Sequence, residues 1–417
     1  MILVITPHPS ERLKYILNFI MQCYPNVSIK TLELAAYSKA KSDEIIIEYN
    51  SESTLQNAIY INCKSFIYET EVRPIKDQWN SNTDCLMEFV HHSPLGFDVF
   101  SAIFHQLSRY EEYASSKLDK FGRFNSQSSC IVKENQHQTP WVDVYVKQFL
   151  SLVQKQHSTF IFTPTNFTYK PTMDVDIAYE YLGRNVKRTI GGFARNLLNP
   201  KGLLERIKVL LHLQKDPSFI FNQLDKTDLL YFIHVGDYGP LDKSCGLSKK
   251  EFQAFLQSQN IENIGLHPSF QSHLDLDELL FETQQLEEIA DTSISQSRQH
   301  FIKLILPETY ELLQQIGISK EYSMGWPDIC GFRAGTTHPH YFFNVQTNQQ
   351  TELQLVPFSW MDAHFIYHTK INEMAEQFYR LKEHYKTYGG YFTPIFHNNH
   401  FSKPQFGETL YQLLNEV

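Results

Sequence analysis

The chain has 417 residues, 42% hydrophobic and 20% charged, a globular mix long enough to bury a large core without covalent staples. Its formal charge of −9 argues against a general nucleic-acid binder, which would carry a basic excess. The six cysteines (Cys23, Cys63, Cys85, Cys130, Cys245 and Cys330) are scattered without a CxxC pair, so they read as reduced thiols of a cytoplasmic protein and exclude a zinc knuckle.

The chain begins "MILVITPHPSERLKYIL". Its apolar run is too short for a signal sequence and has no basic lead-in, so it reads as a strand. The stretch "SERLKYILNFIMQCY" has apolar residues at helical spacing behind a Ser cap, and "NAIYINC" is a second strand. "FDVFSAIFHQLSRYEEYA" and "WVDVYVKQFLSLVQKQ" read as helices. The segment "HSTFIFTPTNFTYKPTMD" is nonperiodic and rich in Thr, Pro and Asn, so a domain boundary is expected near residue 160: 1–160 a smaller α/β domain, 161–417 a second.

Beyond it, strand and helix alternate. "YKPTMDVD", "LLYFIHVGDYG", "NIGLHPS", "SISQSRQHFIKL", "ICGFRAGT", "ELQLVPFSWMD" and "YFTPIFHN" read as strands or strand ends. Between several of them lie helical stretches such as "KKEFQAFLQSQN", "DLDELLFETQQLEEIA" and "EMAEQFYRLKEHYKTYGG". Asp275 and Glu278 form a capping box. This rhythm predicts a parallel sheet in a barrel-like α/β domain. Residues 184–215 are expected to be helical and broken at "NPKG". They are strongly basic, which fits a solvated helix face, an anionic glycan, a lipid-linked diphosphate or a membrane surface. No apolar run approaches the roughly 20 residues needed to cross a bilayer.

Reactive residues gather at strand ends: Asp174, Asp176, Asp237, His267, Arg298, His300, Arg333, Asp362 and His397. In parallel α/β domains such ends converge on one pocket. Asp174 and Asp176 are alternate residues and so face the same side. Burying both needs a cation, either a metal or an arginine, or a retained proton. Asp and strand-end His residues such as His267 suit zinc or a similar divalent ion, which leaves the second aspartate free to take a proton from water. Arg298 or Arg333 is placed to hold that aspartate ionised, and His397 to supply a proton.

The ordered set resembles the metal-dependent polysaccharide deacetylases of the NodB-homology type. "TMDVD" looks like their first motif, which implies Asp174 as catalytic base and Asp176 as metal ligand. "GLHPSF" resembles the second, with His267 as ligand. "SRQHF" resembles the third, with Arg298 steering the base and Phe301 in the aromatic place. "IFHN" is similar to the last, with His397 as general acid. The phrases "SMGWPDICGFRAGT" and "LVPFSWMD", with "FDVFSAIFHQLSRYEEY" ahead of them, look like a subgroup from bacterial surface-glycan gene clusters. The resemblance implies a distorted (β/α) barrel behind a smaller α/β domain, a carbohydrate substrate, a divalent cofactor (zinc first) and removal of N- or O-acetyl groups. One position departs. The second histidine of the second motif is Gln271 here, a poor ligand beside imidazole, and His273 and His300 are the candidates to substitute from a neighbouring loop.

Two other readings follow from the residues. Gln271 favours a scaffold without activity that binds glycans or assists assembly. Trp326, Tyr341, Phe342, Trp360 and Phe392 near the motifs suit either sugar stacking or the core. "SRYEEY" (Arg109, Glu111, Glu112) reads as a helix-surface or domain-interface charge cluster. A glycosidase is disfavoured, because Asp174 and Asp176 are too close in sequence to bracket a scissile bond. No GxSxG elbow, HExxH or Walker loop appears.

Overall fold

The structure, a computed structural model, describes residues 1–38, 44–75, 78–113, 115, 117–196, 199–224, 228–236, 239, 241–244, 246–367 and 371–416, with Arg195 described only in its backbone. Asp237 and Cys245 lie outside the described residues.

Strand β1 (Ile2–Thr6) is apolar but for Thr6 and wholly buried. Helix α1 (Glu11–Cys23) starts where the Ser10 hydroxyl accepts the Leu13 N–H, and buries Leu13, Ile16, Leu17 and Ile20. Strands β2 (Ile29–Glu33), β3 (Ile45–Asn50) and β4 (Ile59–Asn62) complete a parallel sheet in the order β2-β1-β3-β4. Helices α2 (Val99–Leu107) and α3 (Trp141–Gln156) pack against each other beside it. Strands β2 and β3 escape a reading by pattern. The first is a half-exposed edge, and the second is buried at every residue and so shows no alternation.

The second sheet begins with β5 (Thr172–Val175). Helices α4 (Val186–Asn196) and α5 (Pro200–Leu210) follow as a hairpin broken at the expected place, with the Asn199 side chain capping Gly202. Then come β6 (Leu230–His234), α6 (Lys250–Gln257), β7 (Ile264–His267), α7 (Leu276–Ala290), β8 (Gln296–Ser297), α8 (Glu308–Gln315) and β9 (Lys320–Glu321). The Asp275 carboxylate caps α7 by accepting from the Asp277 and Glu278 N–H groups. A hairpin of β10 (His340–Asn344) and β11 (Gln349–Leu355), helix α9 (Ile371–Tyr388), β12 (Ile395–His397) and α10 (Gly407–Leu414) finish the chain. The order is β10-β11-β9-β8-β7-β6-β5-β12, parallel except for the β10–β11 hairpin.

The fold is therefore mixed α/β with parallel sheets, and the strand pairing among the described residues does not show a closed barrel. Strands β8 and β9 are only two residues long, and the antiparallel hairpin occupies one edge. Past the end of β11, the chain reaches β12 through a single bridge, Met361 to Ile395, with no continuous ladder among the described residues. "ICGFRAGT", expected at a strand end, forms turns between β9 and β10.

Two large cores form, one under each sheet, and they interlock. Trp326, Phe343 and Val345, late in sequence, belong to the first. Asp143 of α3 accepts hydrogen bonds from the Thr336 and Thr337 hydroxyls and from the Thr337 N–H. The described cysteines Cys23, Cys63, Cys85, Cys130 and Cys330 are buried. Among the described residues no helix is long and apolar enough to cross a membrane.

Candidate metal and catalytic site

The parallel register sets the carboxyl ends of four strands side by side. Asp174 on β5 lies opposite His397 on β12, and His234 on β6 opposite His267 on β7. These groups meet at an open cavity of about 780 Å³ that Asp174, Asp176, His267, His300 and His397 line. Phe121 and its neighbours, from a loop well before residue 160, form another wall.

Asp174 is buried, and its Oδ1 accepts from Arg298 Nη1 at 2.7 Å. That arginine is itself fixed. Its Nε donates to the Tyr322 carbonyl, its Nη1 also reaches the Thr172 hydroxyl, and its guanidinium lies 4.3 Å from the Phe232 ring centre. A buried carboxylate is thus matched by a buried, immobilised cation. Of the two arginines considered for this partner, the structure pairs Arg298 with Asp174.

Asp176 stands one residue past the strand, its side chain 26% exposed toward the cavity. Its Oδ1 is buried and makes no hydrogen bond. Two imidazoles aim at that oxygen. His267 Nδ1 lies 2.6 Å from the Arg298 carbonyl, which can only accept, so the proton sits on Nδ1 and Nε2 is left as a lone-pair donor 3.4 Å from Asp176 Oδ1. His300 repeats this: Nδ1 donates to Asp242 Oδ1 at 3.0 Å, and Nε2 lies 3.7 Å from Asp176 Oδ1. Asp242 is fully buried and also accepts the Phe270 N–H. Ligand atoms of Asp176, His267 and His300 all lie within 4.8 Å of one another. The turn carrying His300 is strained, since Phe301 (φ 58°) and Ile302 (φ 54°) both occupy the left-handed region.

The electrostatics agree. Burial would raise the Asp176 carboxyl, but the facing histidines His267, His300 and His397 outweigh it and hold it well below the usual range. Burial disfavours the His267 imidazolium, yet Asp174 and Asp176 together lift its pKa above the ordinary value. Without a metal, this cluster of carboxylates draws a proton onto a ligand nitrogen.

His397 Nδ1 donates to Asp362 Oδ1 at 2.6 Å, and its backbone N–H donates to Asp362 Oδ2. His400 Nδ1 meets the same carboxylate at 2.9 Å. Burial works against the His397 cation, but Asp362 dominates and pushes the pKa up to about 10.

Two candidates are corrected. Arg333 does not reach Asp174. It makes a bidentate pair with Glu112 (2.9 and 2.6 Å) and lies over Trp326, because the Glu112 side chain is itself out of solvent and requires a cation. Arg109 completes this pair through Glu111 and Glu112, so "SRYEEY" is a buried charge cluster joining the two cores. His273 is not among the converging ligands. Its Nδ1 faces the Phe270 carbonyl, and burial lowers its pKa. Gln271 is exposed, and His300 occupies the place of a second imidazole. Trp326, Phe342, Trp360 and Phe392 are core residues and Tyr341 is partly buried; the aromatic rings lining the cavity are those of Phe121, Phe301 and Tyr367.

Sequence reasoning missed Asp242, His234 and His400. His234 is buried, its Nδ1 faces the His267 carbonyl, and burial lowers it to about 3, so it is neutral. Its place at the end of "LLYFIH" is the signal that was available. Asp242 lies in an irregular loop and offered none.

Residues 2–158 match the model of a family of unknown function, DUF7033. The chain is similar to the crystal structure of a "putative polysaccharide deacetylase" from Mycobacterium smegmatis at 15% identity and a TM-score of 0.39, covering 60% of this chain and 83% of that one. A likeness at that score carries no argument about activity. No match is found among curated proteins.

Proposed function

We propose that this chain is a metal-dependent hydrolase that removes N-acetyl or O-acetyl groups from a carbohydrate in surface-polysaccharide metabolism. The observation that carries the reading is the convergence of His267 Nε2 and His300 Nε2 on the unpartnered Asp176 Oδ1, each ring locked through its Nδ1. One carboxylate and two imidazoles make a donor set that fits a divalent ion, zinc first. When bound, such an ion supplies Lewis acidity, making a water easier to deprotonate and favouring negative charge on an acyl oxygen.

The chain's own groups do the rest. Arg298 orients Asp174 through its Oδ1, so that Oδ2, on the side of His267, accepts the proton of the attacking water. His397, held protonated by Asp362, donates to the departing amine or hydroxyl. Acetate and a free amino sugar, or a free hydroxyl, are the products. Tyr367, exposed at the rim, and Phe121 offer faces for a sugar ring. The non-catalytic alternative rests on Gln271, and His300 stands against it. On this reading the chain divides near residue 160 and acts in the cytoplasm, although the loop carrying Phe121 belongs to the cavity.

Metal analysis of the purified protein, with acetate release from N-acetylated oligosaccharides, tests the proposal. About one zinc per chain and turnover that a chelator abolishes are expected. Asp174→Asn should abolish turnover while leaving the circular dichroism unchanged. Neither metal nor acetate would end the reading, and full activity in the variant would end the role of Asp174.

A further inference from the structure

The α4–α5 hairpin departs from the rest of the surface. Val186 and Leu213 are each 74% exposed, and Ile190, Leu204, Ile207 and Leu211 are exposed as well. At helical spacing Leu204, Ile207 and Leu211 form one stripe, with Lys201 and Lys208 along its flank; on α4, Val186 and Ile190 lie beside Lys187. Residues 184–215 hold eight Lys or Arg against the single carboxylate of Glu205, a net +7 in a chain of net −9. A lone exposed leucine needs no explanation, but an apolar stripe edged by cations does.

At the base of the hairpin is a cavity of about 650 Å³ that begins at Ile177, next to Asp176. Arg206 lines it and is 4% exposed, yet its Nε and Nη1 make no hydrogen bond. Its guanidinium lies 4.7 Å from the Tyr181 ring centre and packs on Gly192, where any side chain would collide with it. Arg184 Nε is also unpartnered, and Arg188 and Lys243 reach the same space. Two carboxylates share it: Glu180 lies 3.5 Å from Arg184, and Glu205 accepts the Tyr181 hydroxyl proton. Burial and the neighbouring Arg184 both lower the Arg206 pKa, so this cation gains from an anionic partner.

We propose that the α4–α5 hairpin docks the chain on an anionic phospholipid membrane, with its apolar stripe entering the headgroup region and Arg206 receiving a lipid phosphate. Charge complementarity selects the occupant. A negatively charged bilayer interface offers both an apolar layer and a phosphate plane, and the hairpin presents both counterparts on one element. The inference rests on the hairpin alone and stands whether or not the chain is a deacetylase.

Flotation of the full chain with vesicles tests it. Binding to phosphatidylcholine–phosphatidylglycerol vesicles, with little to phosphatidylcholine alone, is expected. Ile190→Glu with Leu211→Glu should weaken partitioning about tenfold or more, and Arg206→Gln should weaken it further on the anionic vesicles. Val186→Glu with Leu213→Glu serves if the first pair disturbs the circular dichroism. No flotation, equal flotation of the variants, or equal binding to both vesicles overturns the proposal. So does a solution dimer that the Glu variants dissociate, which would make this face a self-interface. Inorganic phosphate that binds the free chain and releases it from vesicles would assign Arg206 to a soluble phosphate and overturn its lipid role.

Discussion

Replacing Asp362 by Asn removes the charge beside His397 while keeping an oxygen for the His397 backbone N–H, which the native carboxylate accepts at 2.9 Å. Burial alone would push the imidazole below its ordinary 6.5, and Asp362 is the largest influence raising it to about 10. Losing that charge should bring the His397 pKa well down from about 10, because Asp362 is the largest of the influences that raise it against burial. Histidine carbon shifts followed by NMR across pH, with His397→Gln supplying the assignment, read this without any turnover. In the enzyme assay the alkaline limb of kcat should move down with it. The sign for stability follows. A histidine raised in the folded state contributes fully below 6.5 and loses that contribution as pH rises through about 10. The urea midpoint of the native chain should therefore fall over that interval, and that of the variant should be flatter. If His397 in Asp362→Asn titrates where it does in the native chain, the carboxylate is not what holds the proton and the general-acid argument fails.

Asp242→Asn should weaken zinc affinity about tenfold by loosening His300, whereas His273→Ala should leave it unchanged; competition with a chelating dye measures both. Arg333→Ala removes one of two cations from the buried Glu112 and should cost about 3 kcal/mol in urea unfolding. Acetate release per folded molecule should then persist, and a larger loss would return Arg333 to the site.

Period-two alternation was enough to put Asp174 and Asp176 on one side of a strand end, and the strand–turn pattern put His267 and His397 at others. Local spacing carries that information because side-chain direction in a strand is a local property. Partnership is not local. Arg298 meets Asp174 across 124 positions, and Arg333, equally plausible by type and place, is claimed by Glu112 across 221. The second imidazole is His300 and not His273, because Asp242 and a left-handed turn aim it. The pairing past β11 was likewise decided in three dimensions, where Met361 bridges Ile395. Burial of a charge selects its counter-ion by distance and desolvation, and neither quantity exists until distant segments have packed.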